Sequence, residues 1–154
     1  MPPLQIDSLD ALKDHVGRHI GATDWLPVTQ QRIQQFADAT GDHQWIHVDP
    51  GRAQRESPYK TTIAHGFLTL SLLPQFMPQV MTVKSGMRMG INYGLNRVRF
   101  VSPVLSGMRI RAQFTLQAIK ELSDSVEAVY AVTVEGEGLE KPCCVAEWVV
   151  RYYR

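Results

Sequence analysis

The C-terminal part of the chain alternates between apolar and polar residues over long stretches. In RIRAQFTLQAI, every second residue is apolar, and in SVEAVYAVTVE the same alternation recurs, whereas CCVAEWVVRYY follows it less strictly. From about residue 90 this pattern predicts four long strands, joined by turns at 103–107, 122–124 and 136–142. Successive strands with short connections imply an antiparallel sheet. The apolar face of the first segment comprises Ile110, Ala112, Phe114, Leu116 and Ala118.

The segment before the strands, HGFLTLSLLPQFMPQVM, is apolar on nearly every side. Such a helix is buried all round, although Pro74 and Pro78 predict a kink or an early end. The economical arrangement is an α+β fold in which a curved antiparallel sheet wraps around this central helix. No linker or repeat divides the chain, so we expect one domain over residues 1–154.

Capping residues predict three shorter helices. Ser8 is a plausible N-cap for LDALKDHV, and Thr29 for QQRIQQFADAT, which Gly41 ends. Asp49 followed by Pro50 predicts a brief helix that extends to about residue 55.

Charge and terminal sequence exclude several classes of protein. Sixteen basic and 15 acidic residues give a formal charge of +1, so no net field favours nucleic acid or an anionic membrane. The N-terminal segment contains acidic residues and no long apolar run, so we expect neither a signal peptide nor a membrane span. Cys143 and Cys144 are adjacent and cannot form an ordinary disulfide, which fits a reducing cytoplasm.

Residues 39–50, ATGDHQWIHVDP, place two aspartates and two histidines within twelve positions. One interpretation is structural, with Asp42 closing a turn and His47 bonded to a backbone carbonyl. A second is a metal site formed by His43 and His47 with further ligands from Asp42, Asp49 and His65. That pattern is weak, because histidines four apart converge only on a helix, whereas Trp45 and Ile46 are predicted to be extended.

A third interpretation joins this segment to the central helix. Gly66 lies at the predicted start of that helix, where the first amides have no helical partner. Such an amide can stabilise a thioester oxygen that gains negative charge on enolisation. An acid, a histidine and an amide donor beside an apolar helix favour acid–base chemistry on an acyl group.

Three segments resemble the MaoC-like dehydratases, also known as the hydratase 2 family, and in particular their nodulation protein N-like branch. FADATGDHQWIHVDP is similar to the family signature, TIAHGFLTLSLL to the start of its central helix, and NYGLNRVRFVSPVLSG to the strand and turn that follow. The resemblance implies a hot-dog fold, usually dimeric through strand pairing at the sheet edge. It also implies (R)-specific hydration of a trans-2-enoyl thioester of coenzyme A.

The same resemblance assigns roles to individual residues. It implies that Asp42 and His47 are the catalytic pair and that the Gly66 amide is the oxyanion donor. Gln44 and Trp45 stand where the family commonly has asparagine and proline, and we expect both to contact substrate together with His65. Coenzyme A enters only as part of the substrate, with no further cofactor and no metal. The implied partner is a second copy of the chain, with no nucleic acid and no membrane.

Four arginines alternate on two predicted strands, at positions 97, 99, 109 and 111. If those strands pair through the turn at 103–107, like charges face each other, and the arginines are either solvated or bind coenzyme A phosphates. Arg97 and Arg99 are the candidates for substrate binding. Two other functions fit the predicted fold, a thioesterase that directs water at the carbonyl carbon and a non-catalytic acyl-thioester-binding protein.

Overall fold

In the computed structural model, which describes residues 1–154, the long strands predicted from the alternation are present. A short 3-10 helix, Leu9–His15, follows the first strand. In chain order, the other elements are β1 (Leu4–Ile6), β2 (His19–Ala22), β3 (Leu26–Pro27), α1 (Gln30–Thr40), α2 (Trp45–Val48), α3 (Pro50–Glu56), α4 (Gly66–Ser71), α5 (Leu73–Val80), β4 (Met81–Val83), β5 (Met89–Arg99), β6 (Arg109–Glu121), β7 (Ser125–Gly136) and β8 (Cys144–Tyr153).

The main sheet is antiparallel, with the strand order β2-β6-β7-β8-β5, and β3 also pairs with β6. The predicted pairing of β5 with β6 through the turn at 103–107 is therefore wrong. One edge of β6 is occupied by β2 and β3 and the other by β7, so β5 crosses over and pairs with β8. Arg109 and Arg111 consequently face Glu137 and Glu135, with which they form salt bridges. A separate parallel pair joins β1 to β4.

The alternation on β6 correctly predicts the side chains that enter the core. Ile110, Ala112, Phe114 and Leu116 are fully buried, and their neighbours on α5 are also buried. Ala118 is the exception, because a register shift between Leu116 and Ala118 ends the alternation and leaves it exposed. Burying each large apolar side chain stabilises the fold by about 1.5–3 kcal/mol. The buried side chains of α5 are Leu73, Phe76, Met77 and Val80.

The central helix consists of two short helices, α4 and α5, with Leu72 between them. Pro74 lies in the first turn of α5, where its missing N–H costs least, and the predicted interruption occurs just before it. The expectation that this segment is buried all round is wrong at Phe67, which is 68% exposed. The α+β class, with an antiparallel sheet against a central helical segment, is confirmed.

The capping predictions are confirmed. Side chains of Ser8, Thr29 and Asp49 accept backbone N–H groups at the starts of their helices, and Gly41 ends α1 with φ of 82°. The prediction that Trp45 and Ile46 are extended is wrong, because both lie in the one-turn helix α2. A single turn is too short to show helical periodicity. None of the helices combines the length and the apolar character that a membrane crossing requires.

Candidate active site

His47 lies on α2 and is held by the segment that precedes α4. The Ile63 amide donates to the Ile46 carbonyl at 3.0 Å, and the Ile63 carbonyl lies 2.7 Å from His47 Nδ1. Because a carbonyl can only accept, Nδ1 carries the hydrogen in this contact. In the neutral ring, Nε2 therefore keeps a free lone pair, as a general base requires.

The surroundings of His47 favour the neutral ring. Burial, the largest influence, lowers the pKa of His47 below its ordinary value of 6.5, since the side chain is only 6% exposed. The neighbouring His65 also lowers this pKa, whereas the hydrogen bond to Ile63 and the Asp42 carboxylate oppose the shift. The net effect keeps His47 unprotonated at neutral pH.

Asp42 occupies the loop between α1 and α2, immediately after the left-handed Gly41. Its Oδ1 accepts the Gln44 amide at 3.3 Å, and its side chain remains 53% exposed. Its backbone carbonyl accepts a hydrogen bond from His65 Nε2 at 3.0 Å, and its Oδ2 is 3.9 Å from the same nitrogen. The carboxylate thus lies at the solvent side of the buried histidines.

His65 brings the two distant segments together. It is 4% exposed, and its ring stacks on that of His47 with centroids 3.7 Å apart and planes inclined by 21°. Side-chain ligand atoms of Asp42, His47 and His65 all lie within 4.8 Å of one another. The structure therefore brings together an acid and two imidazoles from two segments, residues 42–47 and the residue before α4.

This cluster is also the group that could hold a metal ion, but its geometry suits acid–base chemistry better. A metal must lie near the plane of each imidazole that binds it, and nearly parallel stacked planes do not converge on one ion. His65 Nε2 also donates to the Asp42 carbonyl, which leaves its lone pair on the other nitrogen. The wider ligand set considered from the sequence is not formed, because His43 pairs with Asp38 and Asp49 caps α3.

Gly66 begins α4, so its amide has no partner one turn back within that helix. A Cβ atom at this position would lie 2.8 Å from the Phe100 ring, so only glycine fits here without displacing that ring. A mostly apolar cavity of about 280 Å³ opens beside it, with Thr69 and Cys143 among its lining residues. Burial raises the pKa of the Cys143 thiol to about 11, which makes it a poor nucleophile.

The remaining predicted residues lie in two different places. Gln44 is exposed, and Trp45 is half-buried with the Arg52 guanidinium 4.3 Å from its ring centroid. Arg97 and Arg99 are exposed on β5 and line a separate cavity of about 270 Å³ between β5, β8 and β7. Neither arginine forms a salt bridge, so both charges are available to an anion.

Two supporting residues, Gln30 and Phe36, were not predicted from the sequence. Gln30 donates from Nε2 to the His47 carbonyl at 2.7 Å, and its other amide atom accepts the Thr62 hydroxyl. The ring of Phe36, a residue of α1, lies 4.9 Å from the His65 ring. Since these residues are 17 to 32 positions from their partners, no local pattern indicates the contacts.

Comparison with known proteins is consistent with this geometry. Residues 12–137 match the family model of the MaoC like domain. 3-Hydroxyacyl-thioester dehydratase Z of Mycobacterium tuberculosis is 52% identical over 147 residues, which cover 95% of this chain and 96% of that protein. Nodulation protein N of Rhizobium leguminosarum bv. viciae is 46% identical over 143 residues, covering 92% and 89%.

A solved structure shares the fold. The (R)-hydratase PhaJ1 from Pseudomonas aeruginosa superposes with a TM-score of 0.69 at 22% identity, over 90% of this chain and 82% of that one. This likeness confirms the hot-dog fold. The resemblance to the nodulation protein N-like branch is confirmed by the relatives, and the chain belongs to the MaoC-like dehydratase family.

Proposed function

We propose that the protein catalyses the (R)-specific hydration of trans-2-enoyl-CoA to 3-hydroxyacyl-CoA, and the reverse dehydration. The observation that carries this proposal is the neutral His47, whose Nδ1 is held by the Ile63 carbonyl and whose ring lies in the same cluster as the Asp42 carboxylate, with one ligand atom of each residue within 4.8 Å of the others. Groups separated in this way can share one water molecule. The name of the Mycobacterium tuberculosis relative, a 3-hydroxyacyl-thioester dehydratase, supports the same reaction on a thioester.

In the proposed mechanism, the ionised Asp42 accepts a proton from the water that attacks the β carbon. His47 Nε2 accepts a hydrogen bond from this water while its hydroxide adds to the β carbon and the electrons of the double bond form an enolate. The proton then passes from Asp42 through His47 Nε2 to the α carbon, so that both side chains return to their starting states. Dehydration follows the same steps in reverse. Coenzyme A takes part in the proposed reaction only as a portion of the substrate.

The enolate oxygen requires a donor, and we assign that role to the Gly66 amide. Gly66 follows His65 directly in the chain and lines the cavity that Phe100 also borders. One well-aimed donor of this kind contributes about 3 kcal/mol to transition-state stabilisation. Gln44 and Trp45, which follow Asp42 in the chain, are assigned to the approach of the acyl group.

We further assign Arg97 and Arg99 to the phosphates of coenzyme A. Neither guanidinium is in a salt bridge, and Arg99 donates only to the Val98 carbonyl, whereas Arg109 and Arg111 are already paired with glutamates and serve as matched controls. Replacing Arg97 and Arg99 by alanine is expected to raise the KM for a coenzyme A substrate about tenfold. The KM for a pantetheine substrate, which lacks those phosphates, should change little. Equal effects on both substrates would remove the assignment.

The proposed assembly is a homodimer in which β5 pairs with its symmetry-related copy. This strand of 11 residues lies at the edge of the sheet, with unpaired backbone groups along one side. It also exposes four large apolar side chains, which are Met89, Ile91, Tyr93 and Leu95. A second copy would cover both features.

The function is tested with crotonyl-CoA and the variants Asp42→Asn and His47→Gln. Each is expected to lower kcat by about 10²–10⁴-fold while the protein remains folded, because each removes one member of the acid–base pair. Asp38→Asn and His43→Gln are matched controls, since these residues form an exposed pair close to the same loop. The proposal would be wrong if both test variants hydrated crotonyl-CoA as fast as the wild-type protein, or if the controls lost as much kcat as the test variants.

A further inference from the structure

His65 is the N-cap residue of α4, yet its side chain makes no capping hydrogen bond. The side chain is instead directed to Asp42 and His47, where it is almost completely buried. An apolar ring would fill the same space without placing a polar group in it. The presence of an imidazole therefore indicates a role beyond packing.

The hydrogen bonding of His65 is incomplete. Because the Asp42 carbonyl accepts from Nε2, the neutral ring has its lone pair on Nδ1, which is buried and has no partner. The Asp42 carbonyl is therefore the one hydrogen-bond partner of the His65 ring within the protein.

The stacking then links the charge of one ring to that of the other. With centroids 3.7 Å apart in a buried site, two imidazolium ions repel strongly. Around His47, the 42–44 loop contributes the Asp42 carboxylate, the segment before α4 contributes the Ile63 carbonyl, and Gln30 of α1 donates to the His47 carbonyl. The uncharged Phe36 of α1 contacts His65.

We propose that His65 is a positioning residue, which anchors the Asp42 main chain through Nε2 and stacks on the His47 ring, where it disfavours a positive charge on His47. Its catalytic consequence rests on the proposed function, because it is the free Nε2 of His47 that acts on water. The coupling between the two rings is a property of the fold and exists whether or not the protein is a hydratase.

Two substitutions separate the two parts of this role. His65→Phe keeps a stacked ring but cannot hold the Asp42 carbonyl or a proton. His65→Gln keeps an amide donor for that carbonyl but removes the ring. Phe36→Leu is the matched control, since it alters packing against His65 without changing any titratable group.

The first readout is an NMR titration of the His47 imidazole, which requires no activity. In both His65 variants, the His47 midpoint should be higher than in the wild-type protein, because His65 no longer opposes a positive charge on His47. Phe36→Leu should keep the wild-type midpoint. An unchanged His47 midpoint in His65→Phe, or an equal rise in Phe36→Leu, would overturn the proposal.

The second readout is the pH profile of crotonyl-CoA hydration. The acidic limb of kcat/KM should move to higher pH in both variants, and His65→Phe should also lose about tenfold in plateau kcat, because Asp42 is no longer held. A uniform loss of rate with an unmoved acidic limb would assign His65 a purely structural role. If the wild type shows no hydration, the proposed function fails, while the NMR titration still decides the coupling.

Discussion

At the scale of single residues, one backbone carbonyl determines what His47 can do. By accepting from Nδ1, the Ile63 carbonyl selects the tautomer in which Nε2 can act as a base. The sequence was sufficient to predict Asp42, His47 and Gly66 as candidate catalytic residues. It did not predict this contact or the stacking of His65 on His47. Both depend on residues that are 16 to 18 positions away from His47 along the chain, where spacing carries no information.

The lowered pKa of His47 makes the stability depend on pH. Between its folded-state pKa and 6.5, the unfolded chain binds a proton at this residue that the folded protein does not, so the free energy of unfolding falls as pH falls. The slope for one proton is at most about 1.4 kcal/mol per pH unit. We expect the free energy of unfolding, measured by chemical denaturation, to decrease less between pH 7.5 and 5 in His47→Gln than in the wild type. An equal decrease in His47→Gln and the wild type, or a smaller decrease in the exposed His43→Gln control, would contradict this origin of the pH dependence.

At the scale of elements, local signals were sufficient where the physics is local. Thr29 and Gly41 bound α1 as predicted, because a cap is a contact between residues three or four apart. The strands β5 to β8 followed from their alternation, which reports one buried face. α2 was missed because four residues are too few to establish a period.

The errors at this scale concern which elements are neighbours. Pairing of β5 with β8 joins strands separated by β6 and β7 in sequence, and no residue pattern in β5 specifies that choice. The same applies to the exposure of Phe67, since a helix's environment depends on which faces the sheet covers. The resemblance to a known family carried the fold further than periodicity alone.

At the scale of the whole molecule, the exposed edge of β5 predicts the assembly. A long apolar edge strand is unfavourable in a monomer, whereas a symmetric partner buries it. We expect the wild-type protein to be dimeric in light scattering coupled to size exclusion, and Ile91→Lys to shift it toward the monomer by placing a charge at the contact. Val16→Lys is the control, because Val16 is exposed to a similar degree outside β5. A monomeric wild type, or a dimer unaffected by Ile91→Lys, would contradict the arrangement.

The central claim, that water is added to the β carbon of an enoyl thioester, has a direct chemical test. Wild-type protein is incubated with crotonyl-CoA in ¹⁸O-labelled water, and the products are analysed by mass spectrometry and chiral chromatography. The account predicts an intact thioester with the label in its 3-hydroxyl group and the (R) configuration. Release of free coenzyme A with the label in a carboxylate would indicate a thioesterase, and binding without any labelled product would indicate a non-catalytic protein; either result would contradict the claim.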